Sequence, residues 1–164
     1  PFLYFLNYDV WTAAYHNADV HFNQKKFQLG KPDMTKDDFW KEGVEVETRY
    51  YEKYAEPKKY RQELAKISDY CREHNIELNF VIFPTHIDLQ RVLDKTNMRP
   101  EREKMVQDLV KWGKVYDFDW ENEMTVSRDN FDDPFHFTEK IAKELVNEIW
   151  GNQIKYGRIY PPQN

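Results

Sequence analysis

Apolar residues recur along this chain with two different periods. Tyr60, Leu64, Ile67 and Cys71 step by four, three and four, which predicts a helix with one apolar stripe and Lys, Arg and Glu on its opposite face. His74-Asn75 ends that pattern, and the run Ile76-Glu-Leu-Asn-Phe-Val-Ile-Phe83 follows. Near-continuous apolar character with β-branched residues predicts a central parallel strand buried on both faces. Pro84-Thr85-His86 closes it. Pro100 then opens a second helix, whose Met105, Val106, Leu109, Val110 and Trp112 share a face and which Gly113 stops. Lys114 to Asp119 alternates as a second strand, and Thr138 to Trp150, closed by Gly151, is an amphipathic helix.

This order of helix, strand, helix, strand, loop, helix predicts an α/β fold with right-handed crossovers, a parallel sheet and helices on both of its faces. The whole chain, 1–164, reads as a single domain. Within it we distinguish an aromatic-rich helical segment over 1–56, an α/β core over 57–151 and a tail over 152–164. In the first segment Leu3, Leu6, Val10 and Ala14 fall at near-helical spacing. Gln24 to Asp33 reads as a loop, and Thr35 with Asp38 as a helix-capping pair. The mixed stretch from Phe39 to Tyr54, interrupted by Gly43, carries Tyr50, Tyr51 and Tyr54, which suit either the buried side of a helix or an aromatic surface for stacking sugars.

Composition narrows the class. Aromatic residues make up 16% of the 164 positions while glycines number only 5, which marks a packed globular body rather than a disordered chain. A net charge of −5 offers no basic face for nucleic acid, so no nucleic-acid partner is expected. The longest apolar run, Leu78 to Pro84, is too short to span a bilayer. Cys71 is the sole cysteine, so no disulfide framework or cysteine-rich metal site is available.

The chemistry concentrates in Asn130-Phe-Asp-Asp-Pro-Phe-His-Phe-Thr138. A carboxylate three residues before a histidine, in a loop leading into a helix, is an acid–base pair in which Asp133 would orient His136 and stabilise its imidazolium. The nearby helix N-terminus disfavours a charged imidazole, which suits a general base. The plainer reading makes Asp133 a turn cap and packs His136 on the helix. Thr85 and His86, at the carboxyl end of the first strand, belong to the edge where open α/β sheets bind ligands, and we take them as substrate-binding candidates. His86 would otherwise satisfy a local backbone hydrogen bond. Asp117 and Asp119 read as strand-end solvation. His16 and His21 are five apart, which misses the four-residue step of two ligands on one helical face. A zinc site built from His86, Asp133 and His136 is the metal alternative; we expect no metal and no cofactor.

The helix from Lys58, the strand ending Phe83-Pro84-Thr85-His86, the helix from Pro100 and the Asp133-Pro134-Phe135-His136 loop together resemble the last part of SGNH/GDSL-type acyl hydrolases and transferases, over about residues 58 to 151. The similarity is to the extracytoplasmic branch that modifies cell-envelope polymers, such as D-alanyl transfer and alginate O-acetyltransferase-like proteins. That resemblance implies a three-layer α/β/α fold lacking its first strand or strands in this chain, and triad roles for Asp133 and His136. It further implies an esterase or O-acyltransferase activity on an acylated polysaccharide or teichoic-acid-like polymer, an extracytoplasmic location, and a membrane acyltransferase as partner. The family's nucleophile is a serine in a glycine-containing turn after the first strand. Here the only serines are Ser68, mid-helix, and Ser127, in a polar loop without a glycine neighbour. The expectation is therefore a serine upstream of Pro1, with a non-catalytic carbohydrate-binding or scaffold protein as the alternative.

Overall fold

The computed structural model describes residues 34–57, 59–151 and 153–163. Lys36–Asn164 forms one compact unit. The readings of His16, His21 and the segment before residue 34 lie outside the described residues.

This unit is mixed α/β. Its elements are α1 (Lys36–Glu52), α2 (Tyr60–Glu73), β1 (Asn79–Ile82), α3 (Ile87–Lys95), α4 (Arg99–Val110), β2 (Lys114–Asp117), a 3-10 turn at Arg128–Asn130, α5 (Glu139–Trp150) and β3 (Arg158–Tyr160). The sheet runs in the order β1-β2-β3. β1 and β2 are parallel, with Phe80 opposite Val115 and Ile82 opposite Asp117. β3 pairs antiparallel with β2, Tyr160 opposite Val115. This corrects the expectation of a wholly parallel sheet. The segment read as a tail enters the sheet, because Arg158–Tyr160 returns along β2 and Gln163 N–H then bonds the Val110 carbonyl.

Strand period distributes the core between two faces. Val115 packs with Val106, Leu109 and Val110 of α4, joined by Leu64 of α2 and by Phe80 and Ile82. Tyr116 and Phe118, with the opposite parity, pack with Met124 and with Ile141 and Leu145 of α5. The apolar stripe of α5 is therefore buried as its sequence predicts. The stripe of α2 is rotated: Ile67 is exposed, and the buried position is Ser68, whose hydroxyl donates to the Trp112 carbonyl at 2.9 Å.

β1 is not the strand buried on both faces. Its three apolar residues are only half-buried and Phe83 beyond it is exposed, because among the described residues β1 is an edge of the sheet. The central strand is β2, with Val115, Asp117 and Phe118 at its end wholly buried. Gly113 leads into it by necessity: a Cβ there would lie 2.4 Å from the Leu78 carbonyl oxygen, the acceptor for Lys114 N–H.

Helix ends follow the local chemistry. Asn75 and Asn97 take the left-handed conformation, φ 55° and 57°, just beyond α2 and α3. Among non-glycine residues asparagine tolerates this region best. The returning bonds Ile76 N–H to Cys71 and Met98 N–H to Leu93 then satisfy carbonyls that the helices leave open.

Candidate active site

The loop before α5 is closed by its own backbone. Phe131 and Phe137 form an antiparallel bridge, Asp132 N–H donates to the His136 carbonyl at 2.8 Å, and Thr138 N–H donates to Asn130. The five residues between Phe131 and Phe137 must therefore turn tightly, and Asp133 organises that turn. Its Oδ1 accepts the N–H groups of Phe135 (2.7 Å) and His136 (2.9 Å), while Oδ2 takes His136 Nδ1 at 2.6 Å. Asp133 thus caps the turn, as the plainer reading has it, and also holds the ring, whereas His136 is exposed rather than packed on the helix.

The two partners differ sharply in exposure. Asp133 is 2% exposed, whereas the His136 side chain is 67% exposed. A proton on Nδ1, facing the carboxylate, leaves Nε2 as the unprotonated nitrogen in the neutral ring. The arrangement is a carboxylate-oriented imidazole open to solvent, the geometry of a general base awaiting a proton donor.

The strand-end loop reaches the same place. His86 N–H donates to the Pro134 carbonyl at 3.0 Å, Ile87 N–H donates to Thr125, and the Phe83 and Phe137 rings lie 5.7 Å apart. The two loops therefore converge at the carboxyl end of β1 and β2, as their order in the sequence predicts. On the other side, α1 presents Gly43, where a Cβ would lie 3.3 Å from the Phe135 ring and 3.4 Å from Pro134. Glycine is what lets this helix lie so close to the loop.

Thr85 and His86 are engaged inside the protein. The Thr85 hydroxyl and N–H both donate to Asp119 Oδ1, at 2.6 and 2.9 Å. His86 is buried between the Trp40 and Phe131 rings, each edge-on to it, and its Nδ1 accepts Asp88 N–H at the start of α3. The local backbone bond is thus the work His86 does, as the cap of a helix over Ile87–Lys95 that the sequence pattern does not predict. Burial holds the imidazole below its ordinary pKa, against the raising effects of Asp88 and the nearby Val126 carbonyl. The zinc alternative gains nothing here: among the described residues no three His, Cys, Asp or Glu side chains are grouped to hold a metal ion.

A second polar cluster escaped the sequence reading. Asp117, whose position in the sequence reads as a solvated strand end, is fully buried and accepts from Arg102 at 2.6 Å. Arg102 also donates to the Asp119 carbonyl at 2.7 Å. Burial raises the Asp119 carboxyl above its usual range, against the lowering effect of the Thr85 donors and Arg102. A signal was present. Arg102, Val106 and Leu109 share one helical face, and Asp117 has the parity of Val115, so both charges are aimed inward from apolar stripes.

Neither serine approaches the dyad by hydrogen bonding. Ser68 is spent on Trp112, and Ser127 precedes the 3-10 turn with no side-chain cap bond. No helix among the described residues is long and apolar enough to cross a membrane. No protein-family model matches the chain, and neither a curated protein nor a solved structure matches it.

Proposed function

We propose that this chain is the C-terminal part of an SGNH-like three-layer α/β/α domain, an esterase or O-acyltransferase acting on an acylated cell-envelope polysaccharide. The observation that carries this reading is the 2.6 Å bond from His136 Nδ1 to a buried carboxylate beneath an exposed ring. Helices on both sheet faces and the loop's position at the carboxyl end of the strands support it. The edge position of β1, with Phe80, Val81 and Ile82 half-buried, suits a further strand alongside it. In this reading an upstream serine attacks the ester carbonyl and His136 Nε2 takes the hydroxyl proton. The imidazolium, stabilised by Asp133, then protonates the leaving alcohol, and an acceptor hydroxyl or water resolves the acyl-enzyme in the reverse sense. Work on such a polymer implies an extracytoplasmic location and a membrane acyltransferase as supplier of acyl groups.

The test is turnover of an acetyl ester and of an acetylated polymer by the full-length protein and its His136→Ala variant. A fall of about 10²–10⁴-fold is expected on losing the base. Unchanged turnover in the variant would sink the proposal.

A specific observation favours a second reading, a non-catalytic carbohydrate-binding or scaffold protein: neither serine of the chain is bonded to His136. Full-length protein that binds the polymer without transferring or releasing acyl groups would establish it.

A further inference from the structure

An open cleft of about 320 Å³ lies beyond the carboxyl end of β2. Gln90 and Arg91 of α3, Arg99 at the start of α4, Trp120 and Glu121 past β2, and Arg158 of β3 line it. A cavity of roughly 150 Å³ holds a benzene-sized ring, so this cleft takes a ring with its substituents. Its arginines are not equally engaged. Arg99 is held by Asp94 through two bonds of 2.7 Å. Arg91, with a side chain 67% exposed, comes no nearer than 3.6 Å to Asp88, too far for a hydrogen bond. Arg158 is exposed and has no carboxylate or hydrogen-bond partner among the described residues; its guanidinium lies 3.9 Å from the centre of the Trp120 ring. Trp120 is itself fixed, since its Nε1 donates to the Tyr156 carbonyl at 2.7 Å. A guanidinium stacked on a fixed ring keeps its in-plane N–H groups for an incoming acceptor.

Charge and shape select the acceptor. The protein carries −5 overall, yet here three arginines face only the carboxylates of Asp94 and Glu121, so the cleft attracts an anion locally. Arg91 and Arg158 approach from different elements. A carboxylate offers one two-oxygen edge and fills one guanidinium, whereas a phosphate has oxygens for both. The cleft also holds acceptors. Gln90 is 2% exposed, and its Nε2 donates to the Thr85 carbonyl at 3.1 Å and to Asp119 Oδ1 at 3.3 Å. Its Oε1 accepts no hydrogen bond among the described residues and, unlike Arg102 Nε, is not sealed from solvent. Oε1 and the exposed Glu121 carboxylate call for hydroxyl donors on the same ligand.

The geometry points to a binding site for a small hydroxylated phosphate monoester, its phosphate between Arg91 and Arg158 and its hydroxyls toward Gln90 and Glu121. The site stands whether or not His136 is a catalytic base.

The test is calorimetry on the full chain with glucose-6-phosphate, gluconate, inorganic phosphate and glucose. Glucose-6-phosphate should bind. Inorganic phosphate, which lacks the hydroxyls, and gluconate, which lacks the further oxygens, should each bind about tenfold more weakly, and glucose should not bind. Arg158→Leu, which keeps an apolar cover on Trp120, and Arg91→Gln both change exposed side chains, and each should weaken glucose-6-phosphate about tenfold or more. Lys140→Gln removes the same charge from the exposed face of α5 and should leave binding unchanged. Glucose or gluconate binding as tightly as glucose-6-phosphate, inorganic phosphate binding more tightly, no binding of any probe, or arginine variants no weaker than Lys140→Gln would overturn the assignment.

Discussion

The Asp133 carboxylate holds His136 at two points, the ring Nδ1 at 2.6 Å and the main-chain N–H at 2.9 Å. One buried side chain thereby fixes both the backbone turn and the ring orientation, so the two functions are coupled. Asp133→Asn should lose the charge-assisted part of three hydrogen bonds, about 1–3 kcal/mol of stability. It should also release the ring from its Nδ1-protonated tautomer. Long-range ¹⁵N NMR reports the tautomer and urea unfolding the stability. A variant that keeps both would show that the contact is incidental.

Arg102 and Asp117 form an ion pair in the interior, with side chains 14% and 1% exposed. Removing one partner strands the other charge, so Arg102→Met alone or Asp117→Leu alone should cost about 3–5 kcal/mol. The double variant should recover part of that loss, because no charge of the pair is left stranded, while the Asp119 carbonyl and N–H still lose their bonds to Arg102 and Asp117. A double-mutant cycle by urea denaturation measures the coupling. Additive losses would mean that the pair does not interact as its geometry requires.

Much of this architecture was legible in local pattern. The stripes of α4 and α5, the strand Lys114–Asp117 and the turn chemistry of Asp133 all follow from period and residue type. What stayed hidden depends on partners distant in sequence. Ile76–Phe83 reads as a central strand because apolar content reports burial potential, while its edge position is set by which strands pair with it. Helix α3 begins with His86 as its cap, a residue whose sequence signature is weak beside Ser, Thr, Asp or Asn. The return of Arg158–Tyr160 depends on Glu148, buried in α5, whose carboxylate accepts the N–H groups of Lys155, Tyr156 and Gly157. Nothing in a short polar tail announces that a helix several residues earlier gathers it in. The Asp133–His136 pair was visible because both partners lie within one turn; Arg102–Asp117 spans fifteen positions and two elements.

Gly113 has no room for a methyl group. A Cβ would sit 2.4 Å from the Leu78 carbonyl oxygen and 3.1 Å from the Phe80 ring, and the first of these is backbone that cannot swing aside. Gly113→Ala should therefore reach or exceed the upper end of the ~1–3 kcal/mol typical of overpacking. Gly43→Ala meets only the Phe135 ring edge and Pro134 at 3.3–3.4 Å, and should be milder. Thermal unfolding of the two variants side by side ranks them. The reverse order would contradict the packing described for β2.

Asp108 carries the clearest pH signature. Burial alone would raise its carboxyl, but hydrogen bonds from Lys111 (2.7 Å), Arg61 (2.7 Å) and Tyr60 (2.9 Å) outweigh it and bring the pKa down to about 2. The folded value lies below the ordinary 3.8, so the unfolded chain takes up the proton first as pH falls. The stabilisation is fully present above that ordinary value, declines as pH drops toward 2, and is gone below it. Unfolding free energies of wild type and Asp108→Asn, measured from pH 6 down to about pH 2, should differ by a constant amount above pH 4 and converge through this window. Buried His86, with a lowered pKa, adds its own decline below about pH 6.5, but in both proteins alike, so it drops out of the difference. Parallel curves down to the lowest pH would show that Asp108 is not the group that Arg61, Tyr60 and Lys111 hold ionised.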